Sequence, residues 1–353
     1  MHHDEPREYG TPAYTVKHFA ADDGDRWDAF VRASAGGSFY HLSGWRSIIE
    51  NCLHHRAYYL YCERDGEIEA VLPLVHVKSL LFGDALISVP FLVYGGPVAA
   101  SREALDHVIS AAKEVAHELA VDHLELRNRV PVDDTWHTKD TYATFRKRIF
   151  PDPDANLMAI PRKQRAMIRK GIIAGLKAEC DQDAERLHSA MLVCKRNLGT
   201  PFFGKSWLQA IKEEFDNQVE ITTVTHKGAT VCSVMSFRYG KEILPYYGGG
   251  GDSARDLKGN DFMYWAVMEK ACQEGVEIFD YGRSMVGSGA YRFKKHWGFE
   301  PEPLAYQYFL VNADSPPDLS PSNPRYRFLI KTWKRLPLPV ASLIGAPLAR
   351  RLG

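Results

Sequence analysis

Hydrophobic residues recur with a period of two in some segments and of three to four in others, and these two kinds of segment are interspersed up to about residue 311. Alternation of apolar and polar residues predicts strands, and apolar residues three or four apart predict helices. In the first half we predict strands at 14–19, 58–63, 68–77, 85–90 and 123–127, and helices at 22–33, 43–53 and 101–120. Asp65-Gly66 between two of these strands predicts a hairpin turn.

The second half repeats this order of elements. We predict strands at 176–180, 219–226, 230–239, 243–247, 277–281 and 304–311, and helices at 161–174, 183–197, 205–216 and 261–274. Pro151-Asp152-Pro153-Asp154 supplies a break between the halves. The predicted fold class is therefore α/β (mixed α+β), with two similar domains at 1–150 and 151–312 and a basic, proline-broken tail at 313–353.

Charged residues are unevenly distributed along the chain, and this indicates where anions could bind. The 353 residues contain 44 Lys/Arg and 44 Asp/Glu, a balance that disfavours general nucleic-acid binding. Residues 158–178 nevertheless carry six basic and no acidic side chains, and residues 325–353 carry seven and none. The six cysteines show no close pairing, which is typical of reduced thiols, and no apolar run spans a bilayer. These features predict a cytoplasmic protein.

The central basic segment predicts a helix with cations on one face. Arg162, Arg165 and Arg169 recur at helical spacing and are candidates for binding an anionic substrate. Pro161 suits the first helical turn, and Ile168, Ile172 and Leu176 would form an apolar back. The alternative is a solvated charged face without a ligand.

A glycine run with nearby cations is a candidate donor-binding loop. Glycine lets a backbone approach a ligand closely, and the N-terminus of a helix binds phosphate. We expect Asn260 to cap the following helix and Arg255 and Lys258 to supply charge. The candidates are Tyr247, Gly248, Gly249, Gly250, Arg255, Lys258 and Asn260. A glycine-rich turn with no ligand is the competing interpretation, since the run matches no nucleotide-binding motif.

The third candidate segment follows a predicted buried strand. Asp280 and Arg283 end that strand, where polar groups held by a rigid sheet often function, although the two could form a structural ion pair. A cluster of bases and aromatic residues comes next. Its candidates are Tyr291 for substrate binding and Lys294, Lys295 and His296 for catalysis. Because the sequence shows no metal-ligand spacing and no nucleophile–base pair, the expected chemistry rests on positioning and charge stabilisation.

Six stretches of the second half and two of the first together resemble the FemAB-related acyltransferases, in the branch associated with exosortase/PEP-CTERM systems. They include Ile160–Lys170, Leu244–Gly250, Phe279–Ser284 and Phe293–Phe299, and in the first half Leu72-Pro73-Leu74 with Lys78–Gly83. The resemblance implies two tandem GNAT-like domains.

The same resemblance implies transfer of an acyl or aminoacyl group from an activated donor to an amine or hydroxyl of a cell-envelope or exopolysaccharide precursor. Acyl-CoA, an acyl carrier and aminoacyl-tRNA remain alternative co-substrates, with no tightly bound cofactor, because the loop at Arg255–Asn260 is one residue longer than the family's CoA loop. The family's basic residue maps onto Lys294 or Lys295. Asp280 or His296 is the expected base, and Arg283 would position phosphate or stabilise an oxyanion.

Two further alternatives remain from the sequence. A non-catalytic module of the same fold could bind an anionic, phosphate-bearing glycan precursor or a carrier. The tail, residues 325–353, could pack on the protein or lie at the inner face of the membrane, because an apolar stretch too short to span lies between basic flanks. Peripheral contact would fit a lipid-linked acceptor.

Overall fold

The computed structural model describes residues 13–79, 83–318 and 323–351. Seventeen strands occur in these residues. In chain order, β1–β9 are Thr15–His18, Arg56–Arg64, Glu67–Ser79, Gly83–Ser88, Val98–Ala99, His123–Asn128, His137–Lys139, Tyr142–Thr144 and Arg146–Arg148. Strands β10–β17 are Lys177–Asp181, Val219–His226, Ala229–Tyr239, Glu242–Gly250, Ile278–Asp280, Ser284–Met285, Glu302–Pro303 and Ala305–Leu310.

Twelve α-helices lie between and after the described strands. Helices α1–α6 are Gly24–Ala33, Gly44–Ile48, Arg102–Glu118, Pro153–Ala159, Arg162–Ile173 and Glu185–Leu198. Helices α7–α12 are Lys205–Phe215, Asp252–Asp256, Gly259–Gln273, Gly289–His296, Pro324–Trp333 and Leu338–Ala349. The predicted mixed α/β class is confirmed, and local signals explain several boundaries. For example, the Ser101 hydroxyl accepts a bond from the Ala104 amide (3.1 Å), which caps α3 as the sequence predicts.

Two large mixed sheets form the framework. The first has the order β1-β2-β3-β4-β6-β17-β7, with β5 also pairing β3, and the second has the order β10-β11-β12-β13-β14-β9. A small third sheet, β15-β8-β16, joins them. The predicted hairpin at Asp65-Gly66 is present as β2–β3, and β11 and β12 form another hairpin.

Strands cross between the two halves in both directions. Strand β9 precedes the predicted boundary near residue 150 but pairs β14 in the second sheet. Strand β17 follows nearly all of the second half but pairs β6 and β7 in the first sheet. The division at 1–150 and 151–312 stays a prediction, while the sheet pairing shows that each half completes the other.

An aromatic core also spans the halves. The Phe39 ring stacks on Phe237 with 4.5 Å between centroids, and Trp45 lies 5.1 Å from Phe215. Both residues of the first half are buried against residues of the second. Burying such rings stabilises by about 1.5–3 kcal/mol each, so this core fixes the two sheets relative to each other.

Three local expectations are corrected by the structure. Strand β13 does not end at residue 247 but runs through the glycines to Gly250. Helix α9 begins at Gly259 after Lys258, whose φ of 61° lies in the left-handed region, so Asn260 lies inside the helix and does not cap it. Ile172 is 51% exposed, because α5 packs on α9 through Gln164, Ile168 and Gly171 instead.

The described part of the C-terminal segment contains two helices, α11 and α12, which are separated by residues 334–337 with Pro337 before α12. Helix α12 packs against α6, and the His55 ring nitrogen Nε2 lies 2.5 Å from the Arg350 carbonyl oxygen. Within the described ranges, no helix has the length and apolar character needed to cross a bilayer. Helix α12 therefore packs on the protein with one of its faces.

Candidate functional site

An opening between β13 and β14 lies at the centre of the second sheet. The two strands pair in parallel only at Glu242 with Ile278 and at Ile243 with Phe279. Strand β13 then continues to Gly250 with an irregularity at Tyr246, whereas β14 ends at Asp280. Because the strands part here, backbone groups on the facing edges are left without strand partners, and such groups can bond a ligand.

Asp280 lies at the end of β14 and is 1% exposed. Its Oδ1 accepts a bond from the Gly282 amide at 2.6 Å and from the hydroxyls of Tyr94 and Thr144 at 3.3 Å. The Arg146 Nε lies 3.2 Å from Oδ2. Burial raises the pKa of Asp280 to about 6, against the lowering effect of the Arg146 charge. This carboxyl therefore changes charge close to neutral pH.

Lys294 reaches the same turn from helix α10. Its Nζ donates to the carbonyl oxygens of Gly282 (2.8 Å) and Arg283 (3.2 Å), so Gly282 bonds Lys294 through its carbonyl and Asp280 through its amide. Burial lowers the pKa of Lys294 to about 7, partly offset by the Asp280 charge. Lys295 and His296 are exposed on α10. The structure thus brings Asp280 and Lys294 together and leaves those two neighbours outside.

Arg283 lies in an aromatic setting where the two halves meet. Its guanidinium carbon is 4.3 Å from the Tyr142 ring centroid, and Nη1 donates to the Tyr306 hydroxyl at 3.0 Å. The Arg127 guanidinium carbon also lies over the Tyr306 ring, 5.8 Å from its centroid, and Arg127 pairs with buried Glu125 at 2.7 Å. The predicted Asp280–Arg283 ion pair is absent among the described contacts, since Arg146 is the partner of Asp280.

A further cation faces this region from α6. Burial lowers the pKa of Lys195, and the positive charge of Arg283 lowers it further. The Arg283 charge has the same effect on Lys294. Arg283 therefore lies close enough to both lysines for its charge to act on each, an arrangement that favours an anionic ligand.

Two cavities reach the site from the junction of the halves. One of about 150 Å³ is lined by Asp280, Arg146, Tyr94 and Tyr40, and the Tyr40 hydroxyl is buried without a hydrogen-bond partner in the described residues. Another of about 110 Å³ is lined by Arg283, Tyr142, Arg127 and Lys139. A larger cavity of about 380 Å³ adjoins Tyr94 and Thr144, the two hydroxyl partners of Asp280.

The glycine run has a packing role. A Cβ at Gly249 would lie 2.9 Å from the Cys194 Cβ, and one at Gly250 would lie 2.7 Å from the Cβ atoms of Ala254 and Cys232. Tyr247 is buried, and its hydroxyl accepts a bond from Trp207 Nε1 at 3.0 Å. The protein's own side chains fill the space beside these glycines. Donor binding by Tyr247 and Gly248–Gly250 therefore stays a prediction, and none of the cavities described above adjoins these residues.

Substitution of these glycines tests the packing role. Gly250→Ala is expected to lower the free energy of unfolding by about 1–3 kcal/mol, because the added methyl overlaps two Cβ atoms and the Val231 carbonyl oxygen, 2.9 Å away. Gly251→Ala is the matched control, since its Cβ would meet only Val193 at 3.4 Å. Chemical denaturation of both variants measures the difference, and equal stability would contradict close packing.

The remaining predicted residues lie outside the cluster. Arg162 and Arg169 are exposed on α5, and Arg165 donates to the Met158 carbonyl at 2.8 Å. Arg255 is exposed beside Asp252, and the Lys258 Nζ donates to the Arg255 carbonyl at 2.8 Å. The Tyr291 ring packs edge-on against Phe145 at 5.2 Å, next to Lys294. Their predicted binding roles remain predictions.

Several members of the site were not predicted from the sequence. Tyr94 and Thr144 precede the second half, and Arg146 lies on the exchanged strand β9. Lys195 lies on helix α6, and no sequence motif surrounds it.

Gln164, within the basic segment, donates a hydrogen bond to buried Asp261 at 2.8 Å. Trp297 Nε1 donates to the same carboxylate at 3.1 Å, so the segment holds α9 and α10 in place. Only long-range pairing could have revealed these contacts.

Comparison with known proteins supports an acyltransferase fold. Residues 162–295 match the family model described as Acetyltransferase (GNAT) domain. No curated protein matches the sequence. Among solved structures, the chain resembles FemX, with TM-score 0.66 and 17% identity over 84% of this chain and 98% of that one. It also resembles a tandem GNAT protein from the clavulanic acid biosynthesis pathway, with TM-score 0.54 and 12% identity over 87% and 100%.

The match at 162–295 contains the strand opening, Asp280, Arg283 and Lys294, so the candidate site lies within the matched region. GNAT domains typically use acyl-CoA as a co-substrate, which supports acyltransferase activity. The likeness to the two solved structures confirms the predicted tandem fold. The protein therefore has a tandem GNAT-like fold, and residues 162–295 of its second half match the GNAT acetyltransferase domain model.

Proposed function

We propose that the protein transfers an acyl or aminoacyl group from an activated donor to an amine or hydroxyl of a cell-envelope or exopolysaccharide precursor, as in the exosortase/PEP-CTERM-associated branch that the sequence resembles. The main observation behind the proposed reaction type is that two buried side chains, Asp280 and Lys294, both bond Gly282 beside the opening between β13 and β14. The match to a GNAT domain supports the same reaction.

Each group has a defined part in this reaction. The acceptor lone pair attacks the donor carbonyl carbon, a C–N or C–O bond forms, and the bond to the donor's leaving group breaks. Asp280, ionised above pH about 6, takes the acceptor proton. Lys294, protonated below pH about 7, stabilises the oxyanion or the leaving group. Cavities beside Asp280 and beside Arg283 would admit the two substrates from the junction.

The charge around Arg283 supports an anionic substrate. The charge of Arg283 acts on both Lys195 and Lys294, and Arg127, paired with Glu125, lies nearby. Phosphate groups of an acyl-CoA donor or of a phosphate-bearing glycan acceptor match this excess of positive charge. Acyl carriers and aminoacyl-tRNA remain alternative donors of the same chemistry.

Acetyl-CoA is the first donor to test, by thermal shift and by transfer to a panel of amino sugars. At a concentration of a hundred times its Kd, a bound donor stabilises the folded state by about 2.7 kcal/mol, which shifts the melting temperature upward. The Arg283→Met variant should lose most of that shift, since it removes a cation beside the opening.

Stabilisation by phosphorylated sugars alone, with no donor binding and no turnover, would contradict the proposal. That result would instead support the non-catalytic module that binds an anionic glycan precursor.

A further inference from the structure

Helix α12 presents an apolar face to solvent. Val340, Leu343 and Ile344 are 41%, 78% and 40% exposed, and with exposed Pro347 they follow the helical spacing of one face. A helix that is apolar all round is normally buried on every side. This exposed face therefore lacks a partner within the described residues.

The opposite face of α12 is buried against the protein. Ala341, Gly345 and Ala349 are buried, and a Cβ at Gly345 would lie 3.2 Å from the Phe202 carbonyl oxygen. The small residues thus allow close packing on the protein. Packing of this inner face fixes which side of the helix remains outside, so the exposed apolar residues are held in position.

Helix α11 carries two further exposed apolar residues. Phe328 is 74% exposed and Leu329 is 50% exposed. The two helices meet where Gly345 approaches the Trp333 ring, at 3.8 Å from the position of a Cβ. We refer to the five residues Phe328, Leu329, Val340, Leu343 and Ile344 as the C-terminal apolar patch.

Positive charge accompanies this patch. Lys331, Lys334, Arg335 and Arg351 are exposed, and none of them forms an ion pair with another residue that the structure describes. The last acidic residue of the sequence is Asp318, so every charged residue of 319–353 is basic. Unpaired cations beside exposed apolar side chains are the features of a protein surface that lies on an anionic bilayer.

We propose that the C-terminal apolar patch docks this protein on the surface of a bilayer that contains anionic lipids. The apolar side chains would enter the interface while the lysines and arginines contact the headgroups. A second copy of the chain is a poorer occupant, because a symmetric contact would place two sets of basic residues together with no acidic side chains from residues 319–353 between them. The proposal does not depend on the proposed enzymatic function.

Sedimentation of the full chain with vesicles tests this docking. We expect binding to phosphatidylglycerol/phosphatidylcholine vesicles, and little binding to phosphatidylcholine alone. Removing three charges with Lys331→Gln, Lys334→Gln and Arg335→Gln should weaken binding about a hundredfold, at roughly fivefold per charge. Leu343→Ser with Ile344→Ser should also abolish most binding, because the inserted apolar area is lost.

Ile173→Ser provides the matched control, since Ile173 is 85% exposed on α5, outside the patch. It should bind vesicles as the unmodified chain does. All three variants alter exposed side chains, and thermal unfolding checks that each remains folded. Equal vesicle binding by all proteins, or no binding by the unmodified chain, would overturn the proposal. So would concentration-dependent dimerisation that Leu343→Ser with Ile344→Ser removes in the absence of vesicle binding.

Discussion

Replacing Lys294 with methionine is expected to lower kcat for acyl transfer by about 10²–10³-fold, the usual effect of removing a group that stabilises developing negative charge. The lysine is buried, and its Nζ is held by the carbonyl oxygens of Gly282 and Arg283. Methionine has a similar length and no charge. The change therefore removes the cation while largely filling its space.

Lys295→Met is the matched control for that experiment. The sequence offers both lysines as candidates, but Lys295 is exposed on the other side of α10. Its replacement should leave kcat within about twofold, as surface substitutions generally do little. If the two variants lose activity equally, the geometry around Gly282 does not identify the functional lysine.

Asp280→Asn is expected to lower kcat/KM by about 10²–10⁴-fold, the usual contribution of a general base. The pH profile supplies a sharper readout than the rate alone. Since the pKa of Asp280 is raised to about 6 by burial, the active ionised form is gained as pH rises through 6. Since the pKa of Lys294 is lowered to about 7, the active protonated form is lost above 7. The unmodified protein should therefore show a bell-shaped profile with its maximum between these values.

The Asp280→Asn variant should lose the rising limb and keep the falling one. Glu242→Gln serves as its control, because Glu242 is the other carboxylate paired with Arg146 and lies at the start of β13. The Glu242 charge raises the pKa of Asp280, so the rising limb should move to lower pH without disappearing. That variant should retain both limbs. A rising limb that persists in Asp280→Asn would assign the base to another group, such as His296.

The sequence predicted the longer strands and helices because their signals are local, whereas short elements such as β7–β9 and α10 were not predicted. The Asp65-Gly66 turn, the Ser101 cap and the alternation along β11 and β12 each depend on residues a few positions apart. Asp280 and Lys294 were also identified from the sequence as candidates, because polar residues at the end of a buried strand are conspicuous. Their presence in one buried cluster is a property of the fold.

Other parts of the site depend on contacts between distant residues. Tyr94 and Asp280 are separated by 186 positions, and the Arg146 partner lies on a strand exchanged between the halves. No local pattern specifies such contacts. The glycine run shows the opposite difficulty, because the same freedom that suits a ligand loop also lets Cys194 and Ala254 pack against the backbone. Sequence alone does not distinguish a glycine that admits a ligand from one that admits a neighbouring side chain.

The exchange of β9 and β17 has a consequence for synthesis on the ribosome. The first sheet places β17 between β6 and β7, so the position between these two strands stays vacant until residue 310 has left the exit tunnel. While the rest of the chain is translated, β6 and β7 of the nascent amino-terminal half each have an unpaired edge. Aggregation competes with folding in this state. Expression of residues 1–150 alone should consequently give insoluble protein, and co-expression of the remaining residues should recover part of it.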